Sequence, residues 1–376
     1  MRIAGGVLWT LLTCSWLYWA LVVVAAIRWS RRKYPPQPRG EPVSIVKPLC
    51  GMDPGLAENL ATFCRQHYPN YEVLFVAEEP EDPGLQVARD VASRHEDCSV
   101  RVLSGSTCTG LNRKIRNLIT AESAARHSVI ALSDSDMRVT SDYLARVTAP
   151  LSDPSVGVVT CLYRAWKPEG VASRLEALAI GAEFIPSVLA AWLLLGADFG
   201  FGSTIVIRRE ALVAIGGFAA IADELADDYR LCEKVRQSGW REVLSDYVVD
   251  YVPGRQSLKD VCLRRLRWAR TVRLLHPAGM LGSVVVHGFA LSLLLMAMRP
   301  SATTAATALA TLFYRMGCAW YVGRHCTGDQ NLPGLAWLLP LHDVWSFAIW
   351  LLSFWPTKVT WRGRSLSVDT RGRILT

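Results

Sequence analysis

Residues 7–27 carry no charged side chain and form a stretch long enough to cross a hydrocarbon core of about 30 Å. Arg28, Arg31, Arg32 and Lys33 follow at once, and positive flanks stay on the cytoplasmic side. A cleaved signal peptide would place its charges ahead of a shorter apolar core. Residues 1–28 therefore read as a membrane anchor with its N-terminus outside. Whatever follows must work while tied to a bilayer.

Further apolar runs lie near the other end, at about 280–298, 303–322 and 334–355. Arg315 falls inside the second, and His342 and Asp343 inside the third; ionisable residues at such depth are functional candidates. The tail, 356–376, carries Lys358, Arg362, Arg364, Arg371 and Arg373 against Asp369, a bias toward the cytoplasm. Four full crossings from an outside N-terminus conflict with that bias. The third run, interrupted by Pro340, His342 and Asp343, is therefore expected to be re-entrant or interfacial. With 51% hydrophobic and 20% charged residues, the chain is too apolar to be disordered and too charged for a pure membrane bundle. The net charge of +8 is concentrated beside the apolar runs, which favours a membrane surface over nucleic acid. The 10 cysteines have no C-x-x-C spacing and read as free thiols in a reducing compartment.

Between the anchors, a basic, proline-rich linker (29–40) leads into 41–275, where short β-branched runs alternate with helical stretches. Strands are expected at 43–47, 71–77, 99–103, 128–133, 156–161 and 204–208, and helices at 56–67, 84–96, 112–125 and 141–150. Such alternation predicts a mostly parallel α/β sheet covered by helices, with ligands outside the carboxyl ends of its strands. Neither G-x-G-x-x-G nor a Walker loop is present, which removes the main support for dinucleotide and P-loop readings.

The strand ends are acidic. The second strand runs into Glu78, Glu79, Glu81 and Asp82, and the fourth into Asp134-Ser135-Asp136. Two carboxylates one residue apart suit Mg2+ or Mn2+, leaving coordination positions for phosphate oxygens. Asp227 and Asp228 open a later helix, where they could simply complement its dipole. Arg264-Arg265-Leu266-Arg267-Trp268 lies in a basic helix before the membrane runs; alone, it could be a lipid-facing stripe.

Together these elements resemble the membrane-bound inverting glycosyltransferases of family 2 type: an early Asp (Asp82), a D-x-D (Asp134, Asp136), a later Asp (Asp228) and an Arg-x-x-Arg-Trp segment. The chain is most similar to ceramide glucosyltransferases and the hopanoid-associated bacterial branch, through Val43-Ser44-Ile45-Val46-Lys47-Pro48-Leu49, Tyr68-Pro69-Asn70-Tyr71 and Gly216-Gly217-Phe218. Gly157-Val158-Val159-Thr160 and Trp361-Arg362-Gly363-Arg364 lean toward the hopanoid branch.

The resemblance implies a GT-A (Rossmann-like) catalytic domain at 41–275, with membrane segments at 276–355, on the cytoplasmic face of the inner membrane. It implies transfer from UDP-N-acetylglucosamine to bacteriohopanetetrol, or alternatively from UDP-glucose to ceramide. Asp228 would be the base. Asp136, with Asp134, would hold the metal. Pro48, Glu79 and Asp82 would border the nucleoside, while Lys114, Arg264 and Arg267 would face the leaving group beside Trp268. The segment 174–196, whose apolar run 188–195 is too short to span, reads as an interfacial helix lining the acceptor entrance. A transporter using Arg315, His342 and Asp343 would leave the strand-end carboxylates without a role. A processive synthase would want more spans, and a non-catalytic sensor would not need Asp228.

Overall fold

The computed structural model describes residues 2–35, 40–105, 108–355, 359–361, 364–369 and 372–375. The chain forms two compact units. One comprises Met1–Arg31, Lys167–Gly196 and Arg255–Gly372; the other comprises Arg32–Trp166, Ala197–Gly254 and Arg373–Thr376. Residues 36–39 of the linker and Lys358, Arg362 and Arg371 of the tail lie outside the described residues.

The second unit is built on an eight-stranded sheet. Its strands are β1 (Val43–Pro48), β2 (Tyr71–Ala77), β3 (Ser99–Ser104), β4 (Val129–Leu132), β5 (Met137–Arg138), β6 (Val156–Ala165), β7 (Ile205–Arg208) and β8 (Arg241–Tyr251), in the order β3-β2-β1-β4-β7-β6-β8-β5. β3, β2, β1 and β4 run parallel, and so do β6 and β8. β7 is antiparallel to both β4 and β6, and β5 to β8. β1 and β4 are buried along their whole length, as strands covered on both faces must be. Val46, Leu74, Ile130, Ile205 and Ile207 share one core with Ile115 and Leu118 of helix Arg113–Ala124.

Two features of this sheet escape sequence periodicity. β8 carries Glu242 and Asp246, yet both are buried. Glu242 pairs with Arg236, and Asp246 lies 3.5 Å from Arg146, so its charges are compensated by residues from other elements. The reversal of β7 is a matter of topology, invisible to local pattern.

In the first unit, four helices are long and apolar enough to cross a membrane: Ile3–Arg31, Gly170–Leu195, Pro277–Met298 and Leu332–Ser353. The second of these corrects the sequence expectation for 174–196. The helix starts earlier, at Gly170, and continues through Glu176 and Glu183, whose charges shorten the apolar run without ending the helix. Helix Ala302–Val322, which holds Arg315, is not among the four. Arg315 is buried, 3.2 Å from Asp343, with its guanidinium 4.0 Å from the Trp19 ring centroid. This pairing is the usual solution for charges in an apolar surround.

Candidate active site

The carboxyl ends of β1 and β4 bring acidic and basic groups together. Leaving β4, Ser133 donates to the Ser203 carbonyl (2.8 Å), and the Asp134 amide donates to the Gly202 carbonyl (3.1 Å). On the far side, the Asp136 carbonyl accepts the Val252 amide at 2.9 Å, and Met137 and Arg138 pair with Tyr251 and Asp250. The Asp134-Ser135-Asp136 turn is thus clamped at both ends by backbone. Asn59, fully buried, adds a third tie: its Nδ2 donates to the Ser135 carbonyl at 3.4 Å, and its Oδ1 accepts from Arg138 at 3.1 and 3.0 Å.

Lys114, in the first turn of its helix, reaches Asp134 Oδ1 at 2.9 Å and Asp227 Oδ2 at 3.2 Å. Burial opposes its charge, but Asp134, Asp227 and Asp228 outweigh that and raise its pKa above the ordinary lysine value. Lys114 thereby neutralises Asp134 and leaves Asp136 different from its neighbour. Asp136 Oδ1 is buried and has no hydrogen-bond partner, and burial together with Asp134 and Asp53 pushes its carboxyl up to about 7. An orphaned carboxylate oxygen is what a cation ligand looks like when the cation is left out. Among the described residues no three His, Cys, Asp or Glu side chains gather as a metal site. Asp134 and Asp136, the latter with an unpaired oxygen, fit an ion such as Mg2+ or Mn2+, which takes one or two carboxylates.

Asp227 and Asp228 begin helix Asp227–Gln237 and differ in the same way. Asp227 is buried and paired with Lys114. Asp228 is half-buried; its Oδ2 accepts the Gly202 amide at 3.0 Å and its Oδ1 the Tyr229 amide at 2.8 Å. Burial and then Asp227 raise its pKa to about 6, against the opposing pull of Lys114 and the two amides. A fixed, partly open carboxylate with a pKa near neutrality is suited to accept a proton.

Lys47, Asp53 and Gly202 belong to this constellation and have no role in the sequence reading. Lys47 is fully buried at the end of β1, 3.7 Å from the Phe63 ring centroid, and donates to the Asp134 carbonyl and to Ser133 Oγ. Burial lowers its pKa to about 7 despite Asp134, Asp136 and Asp53. Asp53 accepts from Ser135. A lysine in a strand of mostly apolar residues, and the Gly200-Phe201-Gly202 run before β7, are the available signals. A Cβ on Gly202 would lie 2.6 Å from Asp134 Oδ2 and 2.9 Å from Lys114 Nζ. Gly202→Ala should force that pair apart at a cost of about 1–3 kcal/mol. A thermal melt should then show a lowered Tm; an unchanged Tm would show that the close approach is unimportant.

The remaining expected residues are placed as follows. Pro48 ends β1 opposite Val76. Asp82 caps helix Pro83–Ser93 through the Gly84 amide (2.8 Å) and also accepts the Gly51 amide at 3.0 and 2.9 Å, tying down the loop after β1. Glu79 pairs with Arg113. Arg264, Arg267 and Trp268 lie on helix Leu258–Leu275 of the first unit. All 10 cysteines are free.

The family model described as Glycosyl transferase family 21 matches residues 7–374. Ceramide glucosyltransferases 1 and 3 of Caenorhabditis elegans are 26% and 27% identical to the chain, over 57% and 61% of its length and 46% and 50% of theirs. The chain spans about half the length of the curated relatives it matches. A mannosyltransferase from Pyrobaculum calidifontis, solved in complex with GDP-Man and Mn2+, is 20% identical with a TM-score of 0.58, covering 93% of this chain and 99% of that one. This likeness confirms the GT-A fold.

Proposed function

The chain belongs to glycosyl transferase family 21, and from that premise we propose that it transfers glucose from UDP-glucose to the primary hydroxyl of a ceramide-like membrane lipid, with inversion at the anomeric carbon. The motifs resemble the family 2 type, whereas the family matched is 21. The ceramide glucosyltransferases among its relatives favour ceramide over the hopanoid polyol as acceptor. The observation that carries the reading is the pairing of a half-open carboxylate, Asp228, with the Lys114–Asp134–Asp136 cluster.

The lipid hydroxyl attacks the anomeric carbon as the bond from that carbon to the diphosphate oxygen breaks, and its proton passes to Asp228. The amides of Gly202 and Tyr229 hold the carboxylate still, so little reorganisation is needed when the proton arrives. Lys114 presents a cation beside Asp134, where negative charge on the leaving diphosphate would be stabilised. Asp136, with Asp134 beside it, would hold a divalent cation, which supplies charge neutralisation for the same diphosphate. Pro48 and the loop fastened by Asp82 would border the nucleoside, and Glu79, paired with Arg113, would lie at that rim. Arg267 and Trp268 would serve the leaving group and the acceptor.

The nucleotide-sugar site is assigned to the cytoplasmic side of the inner membrane, since Arg28, Arg31, Arg32 and Lys33 flank the anchor there. A tag inserted near residue 40 should be protected from labelling on the periplasmic side in cells whose outer membrane has been opened; labelling there would invert the arrangement. For the reaction itself, UDP release should be measured across a panel of nucleotide sugars with vesicles containing ceramide. Release with UDP-glucose that requires ceramide is expected. Release that requires instead a hopanoid polyol and UDP-N-acetylglucosamine would overturn the substrate assignment.

A further inference from the structure

Within the first unit, the two leading arginines of the 264–268 segment are each gripped by a different carboxylate of one helix. Arg264 Nη2 lies 2.6 Å from Glu176 Oε1, and Gln256 Nε2 donates to Glu176 Oε2 at 2.6 Å. Arg264 also donates to Gln256 Oε1, which closes a three-membered ring of polar side chains. Arg265 Nη2 lies 2.8 Å from Glu183 Oε1 and 3.4 Å from Ser346 Oγ, with its guanidinium 5.5 Å from the Trp345 ring centroid. The second oxygen of Glu183 accepts from Ser346 and stands 3.6 Å from His342 Nε2. Glu176 is only 1% exposed, so this is no loose surface pair.

The helix that carries both glutamates is not regular. Within it, Ile180–Phe184, which includes Glu183, forms a π turn, closed by the Ile185 amide donating to the Ile180 carbonyl. Arg264 and Arg265, being consecutive, point about 100° apart around their own helix. Residues seven apart on an uninterrupted α-helix would be offset by only about 20°. A π turn bonds i to i+5, so Glu183, inside the turn, departs from that regular offset. The π turn thus alters the facing of Glu183 relative to Glu176, and the two glutamates meet two consecutive arginines on another helix. Single π turns are frequent at functional sites, which is consistent with one being kept here.

We infer that Glu176 and Glu183, registered by the π turn at 180–184, are positioning residues that fix the rotation of the 264–268 segment for glycosyl transfer. This inference rests on the glycosyltransferase reading. It reassigns Arg264, whose charge is matched by Glu176, from leaving-group contact to strut, and leaves Arg267 and Trp268 as the part of the segment that acts on substrate.

The test uses the full chain in lipid nanodiscs, with UDP-glucose, ceramide and Mn2+. Glu176→Gln and Glu183→Gln remove one charge each, while Glu176→Asp and Glu183→Asp keep the charge and withdraw it by one methylene. A small displacement of a positioned group costs up to about 100-fold in rate. The Gln variants should therefore lose about 10–100-fold in kcat, and the Asp variants less, with UDP affinity by calorimetry unchanged. The double variant Glu176→Gln with Arg264→Gln should be no slower than Glu176→Gln alone, because Arg264 acts through Glu176. Should the Gln variants fail to fold, the Asp variants carry the test. Wild-type kcat in folded Asp or Gln variants, or a further loss in the double variant, would overturn the inference. Absence of UDP release from the wild-type chain would instead sink the functional reading itself.

Discussion

Asp228→Asn should bind UDP-glucose as the wild-type chain does and transfer glucose about 10²–10⁴-fold more slowly. The substitution preserves side-chain volume and one oxygen acceptor, so at least one of the hydrogen bonds from Gly202 and Tyr229 can persist. It removes the ability to take a proton, a loss of roughly 3–5 kcal/mol of transition-state stabilisation. Donor binding is expected to survive because Lys114, Asp134 and Asp136 are untouched. Asp227→Asn should cost less in transfer, since Asp227 is buried against Lys114 and already committed to that ion pair.

The pH dependence follows from the same carboxylate. Asp228 must be ionised to act, and its pKa is raised to about 6 by burial and by Asp227. Transfer should be full above that value and fall about tenfold per pH unit below it. Asp136, at about 7, would bind a cation in competition with protons, so the profile should be recorded at saturating Mn2+. Equal transfer by wild type and Asp228→Asn at pH 7.5 would place the base elsewhere; loss only in Asp227→Asn would shift it by one residue.

Asp136→Ala carries the second large effect. It deletes the orphaned oxygen and leaves Asp134 as the single D-x-D carboxylate, itself tied to Lys114. Losing one group that stabilises developing charge typically costs about 10²–10³-fold in kcat. Here donor affinity should fall as well, because Asp136 would help hold the cation that neutralises the diphosphate. EDTA should reproduce the defect in the wild-type chain and add nothing to Asp136→Ala. Full wild-type activity in EDTA would remove the metal from the account.

Where chemistry is carried by neighbours in sequence, the sequence alone is informative. β2 and the helix after Asn112 fall where period and caps predict, and Asp134, Asp136 and Asp228 stand out because D-x-D and Asp-Asp-Tyr are local patterns. Where a role is created by a distant partner, the sequence is silent. Glu242 and Asp246 interrupt the apolar pattern of β8, and their burial is accounted for only when Arg236 and Arg146 are placed against them. Glu176 and Glu183 shorten the apolar run of the helix expected at 174–196, and its full 26 residues emerge only when Arg264 and Arg265, far along the chain, are placed against those charges. Lys47 reads as an exception in β1 until the Asp134 turn closes over it.

The most direct test of the central claim is the anomeric configuration of the lipid product. UDP-α-glucose labelled with carbon-13 would be incubated with the chain, ceramide and Mn2+, and the extracted lipid examined by NMR. A single in-line displacement assisted by Asp228 predicts glucosylceramide with the β configuration alone. An α-linked product, or no labelled lipid while UDP is still released, would contradict it.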